Sequence, residues 1–390
     1  GKQHNLKIIS IEKLIEYIGE EIDRKYLDEV KKLSLCDEGK ADLKIVFTSL
    51  HGTSITLLPK ALKENGFTQV HIVPEQIETN GNFPTVKSPN PEEAAALELA
   101  VNLARKVDAD LVIGCDPDAD RVGIAVKDLN GDMVLLNGNQ TAALLVHYIL
   151  HKHKENNTLP SNAFIAETVV TTDLIEKIGT SFGVNTKKCL TGFKWIAELI
   201  RETEGKEIYI VGGEESYGYL IGDFVRDKDA ISAAVLLAEV AAWANAKGSS
   251  FYKELINLYV KHGYYLEHLV AITKKGKAGL EEIQKMIEGL RSNPPKQLGG
   301  SDVVEIIDYK SQISKNLITG KESPTRLPSS NFIQFLTAEG DKITARPSGT
   351  EPKIKFYFSV KSPLAALEEF DNATKQLKSK ISNIVLELGV

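Results

Sequence analysis

Cysteine is scarce in this 390-residue chain: Cys36, Cys115 and Cys189 are odd in number, far apart and in no metal-ligand spacing. That argues against a disulfide framework and for a reducing compartment, with the cytoplasm as the expectation. A basic excess is also lacking, since the net charge is −6. No nucleic-acid partner is expected, because phosphate-backbone binding needs a basic surface. Long apolar runs are missing too. The most apolar stretch, ISAAVLLAEVAAWANA, is interrupted by Glu239 and too short to span a bilayer, and the opening GKQHNLKIIS has no signal-peptide apolar core, so no membrane segment is expected. The chain begins with Gly and runs at once into the amphipathic pattern IEKLIEYIGEEIDRKYLDEVKKLSL, which suggests a fragment.

What is present is ordinary globular composition, 42% hydrophobic and 26% charged, enough for about two to four domains. Apolar spacing predicts a helix over residues 8–35, followed by a buried strand over 43–50, LKIVFTSL. A loop HGTS, a helix LLPKALKENGF and a strand QVHIVP follow, and Pro91, Glu92 and Glu93 suit the first turn of a helix running through EEAAALELAVNLARKV. ADLVIGC is then a strand. This β/α alternation implies an α/β layer domain with functional loops at strand ends. The pattern restarts after HKHKENNTLPSN with strand AFIAETVV, helix TTDLIEKIGTSFG, a short strand around Lys188, helix KWIAELIRETEG, strand EIYIVGG and a long helix over 230–246. From about Thr273 a helix is followed by several strands and a final helix, an α+β order.

Five stretches carry chemistry. In VIGCDPDADRVGIAV, Asp116, Asp118 and Asp120 alternate after an apolar run; on an extended segment they would point one way, and oxygen-only ligation suits Mg²⁺. An EF-hand is excluded, because its sixth and twelfth positions are Arg121 and Lys127 instead of Gly and Glu. A phosphatase of the haloacid dehalogenase type, with Asp116 as nucleophile, and a solvated acidic turn are the alternatives. TARPSGTEPKIKF packs Arg346, Ser348, Gly349 and Thr350 between two strands like a phosphate cradle, with Lys353 and Lys355 on one face of the next strand; an ordinary polar hairpin loop is the alternative. GGEESYGYL offers Glu214 and Ser216 for hydrogen bonding to sugar hydroxyls, or for a cap or turn. LTGFKWIAEL sets Lys194 beside Phe193 and Trp195, where partial desolvation would suit proton transfer, although such lysines commonly snorkel. In SLHGTS, His51 follows a strand and is more often structural.

In this order, HGTS, DPDADR, TGFKW, GGEESYGY and RPSGTEPK resemble the α-D-phosphohexomutase family, the phosphoglucomutases and phosphomannomutases, over nearly the whole chain. The resemblance implies two α/β domains followed by a smaller α+β, TATA-binding-protein-like domain: residues 1–155 with the metal-binding loop, 156–268 with the sugar-binding loop and 269–390 with the phosphate-binding loop. It implies interconversion of hexose 1-phosphate and hexose 6-phosphate through a 1,6-bisphosphate and an enzyme phosphoserine. Asp116, Asp118 and Asp120 would bind Mg²⁺, and Arg121 would sit against the phosphoserine or the reacting sugar. Glu214 and Ser216 would hold sugar hydroxyls, and Arg346, Ser348, Gly349 and Thr350, with Lys353 adding charge, would clamp the non-reacting phosphate. Lys194 would be a general acid/base or phosphate contact, and His51 a lesser candidate. Glucose 1,6-bisphosphate would be activator and intermediate. The family's phosphoserine loop, of the type Thr-Ala-Ser-His-Asn-Pro, occurs nowhere in the 390 residues. The expectation is therefore a chain lacking the N-terminal phosphoserine domain and inactive alone, with a non-catalytic sugar-phosphate-binding module as the competing function.

Overall fold

A computed structural model describes residues 15–349 and 351–390. Its first unit opens with helix α1 (Glu20–Lys32) and contains strands β1 (Lys44–Thr48), β2 (Gln69–Ile72), β3 (Leu111–Cys115), β4 (Val122–Lys127) and β5 (Met133–Leu135), with helices α2 (Leu58–Glu64) and α3 (Glu98–Val107) between them. The sheet order is β2-β1-β3-β4-β5, parallel through β3 and antiparallel beyond it. β3 is buried at every position, as its unbroken apolar run demands of a strand covered on both faces.

The second unit has helix α4 (Gly138–Glu155), strand β6 (Ala163–Thr168), helix α5 (Leu174–Phe182), strand β7 (Asn185–Cys189), helix α6 (Phe193–Thr203), strands β8 (Ile208–Gly213) and β9 (Tyr219–Ile221), and helices α7 (Ala230–Ala246) and α8 (Phe251–His262). Its sheet order is β7-β6-β8-β9, with β9 antiparallel to β8. Helix α7 is apolar all round and therefore enclosed. It packs on α1 and α2 of the first unit and on α4, α8 and β9 of the second. No single described helix is long and apolar enough to cross a membrane.

The C-terminal unit is an antiparallel sheet with helices α9 (Gly276–Ser292) and α10 (Phe370–Leu388) packed on it. Its strands are β10 (Tyr264–Thr273), β11 (Gln297–Leu298), β12 (Ser301–Asp308), β13 (Ile313–Asn316), β14 (Glu322–Pro324), β15 (Ile333–Thr337), β16 (Lys342–Pro347) and β17 (Lys353–Ser362), in the order β10-β17-β16-β15-β12-β13-β14 with β11 beside β12. The chain is thus of mixed α/β class, with a C-terminal sheet unit after two α/β units.

Three expectations change. The helix expected over 8–35 is helical at Glu20–Lys32 among the described residues, and its part before residue 15 lies outside them. The helix expected from Pro91 starts only at Glu98: Asn90 accepts the Glu92 and Glu93 N–H groups through its side chain and carbonyl, and this turn keeps residues 91–97 out of the helix. Helices α4 and α8 are additions to the elements expected from the sequence.

Candidate active site

The β3–β4 hairpin carries the three aspartates. They sit on a tight loop, not on an extended segment as the alternation suggested. Asp116 Oδ1 accepts the backbone N–H groups of Asp120 (3.0 Å) and Arg121 (2.9 Å), and Ala119 is left-handed with φ 59°. This wrap, rather than strand pleating, brings a carboxylate oxygen of each aspartate within 4.8 Å of the other two.

Three carboxylates so close repel one another unless cations compensate. Lys228 Nζ lies 2.5 Å from Asp120 Oδ2, and Arg121 Nε lies 3.7 Å from Asp120 and 3.9 Å from Asp116. Even so, desolvation and the neighbouring Asp120 and Asp118 charges push Asp116 up to about 7, against the backbone hydrogen bond from Arg121. A converging, oxygen-only, under-compensated triad is the donor set a hard divalent cation fits.

The loop is held from several sides. Thr53 N–H donates to Pro117 O (2.8 Å), which brings the HGTS segment against the aspartates, and Ala230 N–H donates to Ala119 O (3.1 Å) at the start of α7. Gly52 is required there, because a Cβ would lie 2.3 Å from Pro117 Cα. His51 does not reach into the site. It is buried, with Nδ1 2.9 Å from Glu78 O and Nε2 2.9 Å from Thr85 Oγ1, so it ties down the following loop.

The GGEESYGYL segment joins the aspartate loop directly, since Val122 N–H donates to Tyr217 O (3.0 Å). Glu214 is buried and its Oε1 accepts the Gly192 N–H (2.8 Å), which ties this loop to the TGFK turn. Ser216 is half-buried in the same turn. Desolvation and the charge of Glu214 push Glu215 up to about 7, opposed by Lys355 and Arg346. Lys194, the second residue of α6, is exposed, with Nζ 5.0 Å from the Trp195 ring centroid rather than enclosed by aromatics.

The loop between β16 and β17 supplies the positive side. Arg346 Nη1 lies 3.5 Å from Tyr357 Oη, and Arg346 pairs in register with Lys355. Ser348 Oγ accepts the Glu351 N–H (3.2 Å), Gly349 is exposed, and Lys353 N–H donates to Glu351 O (2.7 Å). Thr350 lies outside the described residues. The field of this loop reaches the others, as Lys355 and Lys353 act on Glu92, and Lys355 and Arg346 on Glu215. A cavity of about 230 Å³ lies behind the Glu215–Tyr217 turn, walled by Glu92, Asn137, Glu267, Lys342 and Tyr357 among others, and none of the three aspartates, Glu214, Ser216 or Arg346 lines it.

Comparison with known proteins assigns the chain to a family. The family model for phosphoglucomutase/phosphomannomutase, alpha/beta/alpha domain II, matches residues 24–131, and that for domain III matches residues 137–259. The chain belongs to the α-D-phosphohexomutase family. It is similar to a phosphoglucomutase of Staphylococcus haemolyticus, 36% identical over 350 residues, which are 90% of this chain and 63% of that protein. The chain therefore spans less than two thirds of that relative's length. A phosphomannomutase-type structure from Thermus thermophilus shares the fold with a TM-score of 0.63 at 18% identity, covering 94% of this chain and 67% of that one. An Aspergillus fumigatus N-acetylphosphoglucosamine mutase, solved with GlcNAc-6P and magnesium, does so at 0.52 and 14%, covering 93% and 71%.

Sequence reading missed two residues of this candidate site. Lys228, on Asp120, stands in the charged run Asp227–Lys228–Asp229 before α7, where Asp229 caps the helix and accepts Tyr26 Oη at 2.8 Å. Glu92 bonds Arg121 at 3.3 Å, although the Pro-Glu-Glu spacing read only as a helix start.

Proposed function

We propose that this chain is the metal-, sugar- and phosphate-binding part of a phosphoglucomutase/phosphomannomutase that interconverts hexose 1-phosphate and hexose 6-phosphate through a 1,6-bisphosphate. One observation carries this. A carboxylate triad and a Glu-Ser turn are joined by the Val122–Tyr217 hydrogen bond, and the positive charges of a separate sheet, Arg346, Lys353 and Lys355, act between them on Glu215 of that turn and on Glu92, the partner of Arg121. That arrangement suits a ligand with a reacting phosphate at one end and a held phosphate at the other.

Asp116, Asp118 and Asp120 would hold Mg²⁺, which would stabilise charge on a transferring phosphoryl group. The magnesium in the Aspergillus fumigatus relative supports this reading. Arg121, half-exposed beside the triad, would donate to phosphoryl oxygens as a planar fork. Glu214 and Ser216 would accept and donate hydrogen bonds to sugar hydroxyls, which orients the ring. Arg346, Ser348, Gly349 and Thr350, with Lys353 adding charge, would hold the distal phosphate. Lys194, exposed at the edge, would serve as a phosphate contact or proton donor reached only when ligand covers it. The phosphoserine would come from outside these 390 residues, which contain no loop of that type. The site would work in the cytoplasm on a soluble sugar phosphate.

An aspartyl-nucleophile phosphatase fits less well, because Asp116 Oδ1 already accepts two backbone N–H groups. The test is a coupled mutase assay on this chain with glucose 1-phosphate, Mg²⁺ and a trace of glucose 1,6-bisphosphate. No turnover alone, and turnover once a phosphoserine-bearing segment is supplied, is expected. Robust turnover by the chain alone would place a nucleophile within it and overturn the proposal. Binding of the bisphosphate with no turnover under either condition would favour a non-catalytic sugar-phosphate module.

A further inference from the structure

The aspartate triad has a competitor built into its own loop. Arg121 follows Asp120 directly and carries a planar, cationic guanidinium fork. Its Nε is within ion-pair range of both Asp116 and Asp120, at 3.9 and 3.7 Å, yet hydrogen-bonded to neither. Lys228 already sits on Asp120 at 2.5 Å. A guanidinium closing on the triad as well would neutralise much of its charge, and a divalent cation would have to displace it.

Glu92 stands on the other side of that guanidinium. Its Oε1 accepts from Arg121 Nη1 at 3.3 Å, and only a quarter of its side chain is exposed. Because the guanidinium is a rigid plane, a bond at Nη1 restricts where Nε and Nη2 can lie. Both partners ride on backbones that abut. A Cβ at Gly123, two residues beyond Arg121, would lie 2.5 Å from Pro91 O, so no side chain separates the Pro91 turn from β4. Asn90 Oδ1 fixes the Glu92 N–H at 3.1 Å. This placement of Glu92 is the outcome of the turn that displaced the expected helix.

We propose that Glu92 is a positioning residue: it holds the Arg121 guanidinium back from Asp116 and Asp120 and so keeps the triad open to a divalent cation. The inference rests on the triad being the cation site. A simpler effect would be that Glu92 attracts the cation through space as a fourth negative charge, and the two differ in whether Arg121 must be present.

The experiment is calorimetric titration of the 390-residue chain with Mn²⁺, an oxygen-site probe, using Glu92→Gln, Glu92→Asp, Arg121→Gln, the Glu92→Gln/Arg121→Gln pair and Asp118→Asn, each checked for folding by circular dichroism. Glu92→Gln is expected to weaken Mn²⁺ binding about tenfold beside Arg121 and less than about twofold in the Arg121→Gln background. Glu92→Asp, which keeps the charge but shortens the reach, is expected to show an intermediate loss. Equal losses in both backgrounds, full affinity in Glu92→Asp, or no loss in Glu92→Gln would overturn the inference while leaving the triad intact. No Mn²⁺ binding by the unaltered chain, or unchanged binding by Asp118→Asn, would instead remove the triad as cation site and the inference with it.

Discussion

Glu239 sits in the middle of the most apolar helix in the chain and is 1% exposed. It is tolerated because four donors reach it: Ser34 Oγ at 2.7 Å, Leu35 N–H at 2.8 Å, Lys40 Nζ at 2.9 Å and Tyr148 Oη at 2.9 Å. Breaking a buried ion pair from one side strands the other charge. Lys40 would keep the Ser34 hydroxyl at 2.6 Å and, as countercharge among the described residues, the exposed Asp37 at 3.1 Å. Glu239→Leu should therefore lower unfolding free energy in a urea titration by about 3 kcal/mol, near the low end for such a loss. Glu167 is the opposite case. It is fully buried, and desolvation pushes it up to about 8 despite Lys188 at 3.4 Å. Lys342 and Lys188 meanwhile hold the neighbouring Asp173 below its ordinary range, against its own burial. Glu167, Asp173 and Glu176 converge on these two lysines, so a proton on Glu167 completes the charge balance. A carboxyl whose folded value lies above its unfolded one stabilises fully below the unfolded value and loses that contribution as pH rises through the folded one. Thermal melts should show stability falling from about pH 4.5 to about pH 8, less steeply in Glu167→Gln. Neither network was legible in sequence, because the partners of Glu239 lie about 90 to 200 positions away and no local pattern encodes them.

At the scale of elements, the aspartate loop is legible as a convergent triad, but the geometric reason differs from the one its spacing suggests. Alternation on a strand predicts a shared face, whereas here the convergence comes from the turn at Ala119 and the bonds to Asp116 Oδ1. Helix α4 left a readable signal, since Asn137 and Gln140 form a reciprocal capping box. Helix α8 left one in the Ser250 cap, whose side chain accepts the Lys253 N–H. Strands β1, β3, β6 and β8 are plain from their apolar runs, whereas β7 (NTKKC) has none and β4, β5 and β9 are not among the elements expected from the sequence. The end of the helix before Ala109 is easier to place than its start. Asp108 adopts the left-handed conformation that stops α3. At the start, the Asn90 turn competes with a proline and two glutamates that favour a helix. Gly138 shows how one element positions another. A Cβ there would lie 2.0 Å from Glu215 O and 3.0 Å from Tyr217 N, so α4 can begin only where the 214–217 turn presses on it. Gly138→Ala should displace that loop and cost about 1–3 kcal/mol in thermal unfolding. Unchanged stability would mean that the 214–217 turn yields freely.

Across the whole molecule, the first two sheets are joined through α7 and by the Val122–Tyr217 bond, while the C-terminal sheet meets the second unit along a narrower seam. There Lys342 Nζ donates to Thr171 O at 3.0 Å and pairs with Asp173 at 2.8 Å, and Gln334 Nε2 donates to Val169 O at 3.1 Å. Tyr309, Phe332 and Tyr357 pack on Val169, Val170 and Leu190 beside them. Removing the Lys342 amine leaves Thr171 O without that donor, a loss of about 1–3 kcal/mol. In scanning calorimetry, Lys342→Met should split off an earlier transition for the C-terminal unit; a single transition would mean that the apolar contacts alone hold the seam. The seam also sets a measure. The aspartate and Glu-Ser loops, joined by the Val122–Tyr217 bond, lie on one side of the Lys342 contact, and the Arg346 loop lies on the other. On the proposed function, the reach between a reacting phosphate and a held one would be gauged by this joint. Two sugar phosphates of unequal length would be told apart by how far the joint must bend to grip both ends.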